Sequence, residues 1–191
     1  MQLILASASP RRLSLLKQIG LNPHAVVPAE IDETPQKKEL PRVYAERLAK
    51  EKATAVALRN THPSDTVILA ADTVVAVGRR ILPKAEILAQ ARECLKLLSG
   101  KRHHVYTGIA LIHGGKLLSR VVESTVKFKR LTTQEIDAYL ASGEWEGKAG
   151  GYAIQGMAES YIPFIQGSYS NIVGLPLHET YQILQGIGYV R

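Results

Sequence analysis

Two stretches of the chain carry residue types suited to phosphate chemistry. The first is Ser7-Ala8-Ser9-Pro10-Arg11-Arg12, lying between a short apolar run and a helical pattern. A helix start exposes unpaired backbone N–H groups and the positive end of the helix dipole. Hydroxyls and arginines placed there make an anion site, and arginine can grip phosphate oxygens with two parallel hydrogen bonds. The plain alternative is an ordinary capped helix with solvated arginines. The second stretch is Ala70-Ala71-Asp72-Thr73-Val74-Val75. Asp72 is the one acid in the apolar run 66–77. A carboxylate there is costly unless it is paired, hydrogen-bonded or metal-bound. Asp72 is therefore a candidate functional acid, with a structural salt bridge as the alternative.

Three further groups could support them. Glu30, Asp32 and Glu33 form an acidic loop, and hard cations such as Mg²⁺ take oxygen ligands while keeping several waters. Each of these acids taken singly reads as solvated. Lys52 sits on a highly charged helix and by itself reads as a surface residue. Lys84 and the segment 148–156 complete the set. That segment resembles a P-loop only superficially, since its spacing from Gly143 is wrong, no Ser or Thr follows Lys148, and no helical pattern follows. It still reads as a backbone-rich ligand loop, in which the Gln155 amide can both donate and accept. The six histidines contain no HExxH pattern. His103 and His104 are adjacent on a strand and point to opposite faces, so they do not share a metal readily.

The elements that must position these residues follow from periodicity and turn chemistry. Residues 2–6 read as a short buried strand. Ser9 suits an N-cap and Pro10 the first helical position, opening a helix over 10–19 that Gly20 ends. Residues 24–28 read as a second strand, 41–60 as an amphipathic helix, and 66–77 as a central strand, nearly all apolar. A turn follows at 78–80 and a helix over 86–98, closed by Gly100. Residues 103–113 and 117–129 pair as a hairpin around Gly114-Gly115. Thr132 and Glu135 form a capping box for a helix over 133–142. A glycine-rich loop covers 143–156, a strand region and a short turn run through 160–176, and a helix spans 177–186. Helices alternating with strands, including one hairpin, predict an α/β fold on a mixed sheet.

The chain has 191 residues, 46% of them hydrophobic, enough to build a core without disulfides or structural zinc. One cysteine, Cys94, makes no internal disulfide and reads as a buried helix residue in a reducing compartment. The N-terminal apolar run is too short for a signal peptide, and its charges follow rather than precede it. No apolar stretch reaches the ~18 residues of a membrane helix. The expectation is a soluble, cytoplasmic protein with no membrane partner. The formal net charge of +7 attracts polyanions, but the basic residues come in short groups, which favours a folded anion pocket over a nucleic-acid arm.

Taken together, these motifs resemble the Maf family, the septum-formation-inhibitor-like nucleoside triphosphate pyrophosphatases. The resemblance runs through LILASASPRR at 3–12, IDE at 31–33, ERLAKEKA at 46–53, AADTVV at 70–75, LSGK at 98–101, VYTG at 105–108, KAGGYAIQG at 148–156 and GSYSNIVGLPL at 167–177. It implies a single domain over 1–191: an elongated mixed sheet flanked by helices, two lobes sharing that sheet around a central cleft, similar to the inosine triphosphate pyrophosphatases. It implies hydrolysis of a nucleoside triphosphate to the monophosphate and pyrophosphate with a divalent cation, Mg²⁺ or Mn²⁺. Asp72 matches the general base. Ser7, Ser9, Arg11, Arg12, Lys52, Thr73, Lys84 and Gln155 match the substrate-binding set, with Asp72 and Glu33 as the expected metal ligands. Arg11, Thr73 and Gln155 look like the dTTP/UTP type rather than the branch acting on 7-methyl-GTP. The chain departs from the family pattern at Lys84-Ala85, where Lys-Pro is usual, and at Glu144-Trp145-Glu146-Gly147-Lys148, where Glu-Pro-x-Asp-Lys is usual. The resemblance is compatible with a homodimer. Two rivals remain: a nucleic-acid-binding module, which leaves Asp72 unexplained and for which no stable binding is expected, and a non-catalytic nucleotide-sensing regulator of cell division.

Overall fold

A computed structural model of the protein describes residues 1–59, 63 and 65–190. Its main sheet has the strand order β2-β1-β3-β6-β7-β9, with β4 paired to β3. The parallel part comprises β1 (Gln2–Ala6), β2 (Ala25–Val26) and the first half of β3 (Thr66–Val77). The antiparallel part adds β4 (Arg80–Leu82), the long hairpin β6 (Arg102–His113) and β7 (Lys116–Lys127), and β9 (Phe164–Gln166). A separate two-stranded ladder joins β5 (Lys84–Ala85) to β8 (Lys148–Ala149). This is the α/β architecture on a mixed sheet that the sequence predicts.

Helices cover the sheet because each has one apolar stripe to bury. On one side lies α2 (Pro41–Ala57), whose Ala45, Leu48, Ala49, Ala53 and Val56 are buried. It packs on alternate residues of β3: Ile68, Ala70 and Val74. The opposite face, with Leu69, Ala71 and Val75, belongs to the larger core with α1 (Pro10–Gln18), α3 (Leu88–Leu98), α4 (Thr133–Ala141), α5 (Tyr169–Val173) and α6 (Leu177–Gly186). The β6–β7 turn forms at Gly114 and Gly115, both at positive φ, and both halves of the Thr132/Glu135 capping box are made. Among the described residues no helix is long and apolar enough to cross a membrane.

Several boundaries differ from expectation for identifiable reasons. The strand expected over 24–28 is shorter, Ala25–Val26; its bonds to β1 run from the His24 N–H (to the Leu3 carbonyl, 2.7 Å) to the Val27 N–H (to the Leu5 carbonyl, 2.9 Å), and Pro28 has no N–H to continue them. Helix α2 ends at Ala57 rather than 60, and Asn60 lies outside the described residues. Helix α3 begins at Leu88, where the Gln90 side chain accepts from the backbone N–H of Glu86 and Ile87. The glycine-rich loop contains β8, and the region after β9 contains α5.

Gly108 shows how closely α2 sits on the sheet. A Cβ there would lie 2.2 Å from the Ala45 carbonyl oxygen and 2.6 Å from its carbon. Backbone atoms cannot rotate aside, so Gly108→Ala forces the helix off β6. We expect a loss of about 2 kcal/mol, within the usual range for overpacking, read as a fall in Tm of roughly 4–8 °C for a chain of this size. A Tm unchanged to within about a degree would show that α2 is not seated as described.

Candidate active site

The site begins at a gap in the sheet. On one edge of β3, strand β1 pairs with Thr66–Ala70 and stops. On the same edge β4 takes over only at Val75–Val77. Between them, residues 71–74 are paired to β6 alone. Successive side chains of a strand point to opposite faces, yet Asp72 and Thr73 both reach the cleft because it wraps around this open edge. The cleft has a volume of about 380 Å³. Its lining includes Ser7, Ser9, Arg11, Arg12, Glu33, Lys52, Asp72, Thr73, Lys84 and Gln155, so the catalytic, substrate and metal residues that the resemblance implied border one space. Glu30 and Asp32 do not line it. Glu30 is exposed, and the Asp32 carboxylate accepts from the Thr34 N–H at 2.9 Å.

Chain reversal after β1 brings in the first group. Ser9 occupies the N-cap position of α1 and Pro10 follows it, but the Ser9 hydroxyl makes no capping bond. Instead the Ser9 N–H donates to Ser7 Oγ at 3.2 Å, which folds the chain back and leaves the Ser9 hydroxyl beside the cleft. Ser7 Oγ also accepts from Arg12 Nη1 at 2.9 Å. Arg12 is held on two more sides: Nε donates to the Gly174 carbonyl at 2.8 Å and Nη2 to Thr73 Oγ1 at 3.2 Å. Thr73 Oγ1 in turn lies 3.0 Å from Thr107 Oγ1, which donates to the Asn171 carbonyl at 2.9 Å. The Ser7 and Thr73 hydroxyls therefore orient Arg12. Burial draws the Arg12 pKa below its usual value, Asp72 opposes that and Arg11 adds to it. Arg11 is lowered too, by burial, with Tyr139 opposing.

The second group is ionic. Lys52 is 6% exposed, contrary to its expected place on the helix surface. Helix α2 turns this residue inward, and its ammonium pairs with the buried Asp72 and, at 2.7 Å, with Glu33 Oε1. A lysine stem can lie along apolar surface while its head finds a charge partner, so a hydrophobicity pattern does not reveal it. The other Glu33 oxygen pairs with Lys84. Burial favours the neutral form of Glu33, but hydrogen bonds from Lys52 and Lys84 prevail and lower its pKa from 4.5 to about 2. The loop carrying Glu33 is fastened to α2. The Tyr44 hydroxyl donates to the Glu33 carbonyl, and Arg47 donates to Glu39 at 2.7 and 2.8 Å and to the Thr34 carbonyl at 3.1 Å.

Across the cleft, the β5–β8 ladder fixes Lys84 and Lys148. It is reinforced by Gly147 N–H to the Ala85 carbonyl at 2.8 Å and Gly150 N–H to the Pro83 carbonyl at 3.0 Å. Gly150 lies at φ +69° against Val75, with space for no side chain: a Cβ would stand 2.8 Å from Val75 Cγ1. Beyond it, Tyr152 OH lies 2.8 Å from buried His103 Nε2, and the Ala153 N–H donates to Tyr139 OH at 2.9 Å. These anchors present Gln155, which is exposed. Burial depresses the His103 pKa to about 3, with His104 adding to the effect, so this anchor is neutral. Lys148 also lines the cleft and was absent from the set expected to bind substrate. Its signal was the Lys-Ala-Gly-Gly run itself. With Lys148 the lining holds five cationic and two acidic side chains, a surplus suited to a polyanion.

The family model described as Maf-like protein matches residues 2–187. A protein of Paramagnetospirillum magneticum called dTTP/UTP pyrophosphatase is 62% identical over 188 residues, covering 98% of this chain and 97% of its own. Proteins of the same name from Caulobacter vibrioides and Chelativorans sp. are 60% and 58% identical, each aligned over 98% of this chain and over 96% and 92% of their own. Among solved structures, a HAM1 protein from Coxiella burnetii shares the fold at a TM-score of 0.53 and 15% identity, over 97% of this chain and 99% of that one. A match from residue 2 to residue 187, with relatives this similar along nearly the whole sequence, places the chain in the Maf family.

Proposed function

We propose that the chain hydrolyses nucleoside triphosphates, dTTP and UTP with their modified pyrimidine relatives, to the monophosphate and pyrophosphate, by water attack on the α-phosphorus with Mg²⁺ or Mn²⁺. One observation carries the reading: the open edge of β3 sets the buried Asp72 carboxylate against a cleft walled by Arg11, Arg12, Lys52, Lys84 and Lys148. An acid facing a cationic cleft is what hydrolysis of a polyanion requires. The names of the Maf relatives support the pyrimidine class.

The residues fit a hard divalent cation. The Asp72 and Glu33 carboxylates are neighbours, one oxygen of each bound by the Lys52 ammonium. Two protein carboxylates leave the remaining positions to phosphate oxygens and water, as Mg²⁺ prefers. The bound ion supplies neutralisation of charge on the phosphoryl oxygens. Arg12, held by Ser7, Thr73 and Gly174, presents its remaining guanidinium N–H groups to the triphosphate. Lys52, Lys84 and Lys148 spread positive charge along the phosphates, and Arg11 and the Ser9 hydroxyl border the start of α1. Asp72 orients the attacking water and takes its proton, while Gln155 reads the base edge with its amide. Positioning and charge complementarity then supply most of the acceleration, as in other phosphoryl transfers. A lone, buried cysteine, Cys94, suits a reducing, cytoplasmic setting.

Pyrophosphate release from a panel of canonical, modified and 7-methylated triphosphates, with added Mg²⁺, tests this reading. We expect dTTP and UTP to be cleaved fastest. A preference for 7-methyl-GTP would overturn the base assignment, and binding without release would make the protein a nucleotide sensor.

A further inference from the structure

Both oxygens of Glu33 and one of Asp72 are engaged by lysine. Lys52 Nζ bridges Asp72 Oδ1 and Glu33 Oε1, and Lys84 Nζ holds Glu33 Oε2. The Glu33–Lys84 pair also spans the cleft, joining the loop fastened to α2 with the β5–β8 ladder. A second cavity of about 420 Å³ shares Glu33, Asp72, Thr73, Lys84 and Ala149 with the first, so the pair belongs to the lining of both. Lys84 is 44% exposed on its short strand, whereas Lys52 is nearly buried.

We propose that Lys84, with Lys52, keeps the Asp72–Glu33 carboxylates closed to free divalent metal, and that a triphosphate opens them by drawing Lys84 onto its own oxygens. The inference rests on the metal-dependent reading above. Two ammonium groups at the carboxylates repel an incoming dication, and they occupy the oxygens it needs. A polyphosphate offers Lys84 a more highly charged partner at the mouth of the site, releasing Glu33 Oε2. Metal and nucleotide then bind interdependently. Lys84 is the mobile half of the lock, because its strand pairs over two residues and its side chain is half exposed. Lys52 is the fixed half, since its departure would strand a buried Asp72. The clasp thereby guards against hydrolysis-competent metal sitting in an empty site.

The test is Mn²⁺ binding to the full chain without nucleotide, followed by the electron paramagnetic resonance signal of the free ion. Lys84→Met and Lys84→Gln are expected to bind Mn²⁺ at least ~10-fold more tightly than wild type, the low end for removing a positive charge a few ångströms from a dication. Adding Glu33→Gln to Lys84→Met is expected to abolish the gain. Wild-type-like Mn²⁺ binding in both Lys84 variants, or a gain that survives Glu33→Gln, overturns the clasp. Pyrophosphate release from dTTP by wild type at saturating Mg²⁺ judges the underlying reading separately. If release occurs and the Lys84 variants bind Mn²⁺ like wild type, only the clasp is lost. If Mn²⁺ binds to no variant and pyrophosphate is not released, both fall.

Discussion

Asp72→Asn is expected to keep the fold and to slow pyrophosphate release by at least ~10²-fold, the lower end of what a general base contributes. The substitution preserves shape and removes both the charge and the proton acceptor at the open edge of β3. Lys52 is left with Glu33 at 2.7 Å, so its ammonium still has a partner and the variant should melt close to wild type. The introduced amide can still hydrogen-bond a water but cannot take its proton. Steady-state release at saturating Mg²⁺, with a melting curve as control, reads the effect. Turnover within about threefold of wild type, under half a tenfold step in barrier terms, would remove Asp72 from the chemistry.

Lys52→Met carries the largest expected cost in stability. Asp72 is 2% exposed, and removing its ammonium partner leaves a buried carboxylate without its ion pair. Breaking a buried pair from one side costs about 3–5 kcal/mol. That predicts a fall in Tm of roughly 6 °C or more. The double variant Lys52→Met with Asp72→Asn should recover most of the loss, because no buried charge is then stranded. Thermal unfolding of the four proteins closes this cycle. Equal losses for the single Lys52→Met and the double variant would mean that Lys52 stabilises through its stem packing rather than through Asp72.

How much was readable from sequence depended on the size of the signal. Strand β3 stood out because a twelve-residue apolar run containing one acid is distinctive. The hairpin around Gly114-Gly115 and the capping box at Thr132 were readable because their chemistry is local. The gathering of Asp72, Lys52, Lys84, Arg12 and Gln155 into one cleft was foreseen only through resemblance to the Maf family, since they lie far apart in sequence.

Other features had no sequence signal to give. Lys52 has charged neighbours at 50 and 51 and a buried position, and its residue type conceals the latter. The β5–β8 ladder is two residues long on each side, too short for any period. Helix α5 spans five residues, yet it buries Asn171, whose amide donates to the Val105 carbonyl at 3.1 Å and to Ser124 Oγ at 2.9 Å. These bonds are contacts between distant segments, invisible to local propensity. The role of Thr73 and Ser7 in orienting Arg12 is of the same kind.

The path of the attacking oxygen tests the central claim most directly. Wild-type protein would hydrolyse dTTP with Mg²⁺ in water enriched in a heavy oxygen isotope, and the products would be resolved by mass spectrometry. Attack on the α-phosphorus at Asp72 predicts one heavy oxygen in the nucleoside monophosphate and none in pyrophosphate. Heavy oxygen in the pyrophosphate, or orthophosphate and a nucleoside diphosphate as the first products, would contradict the account.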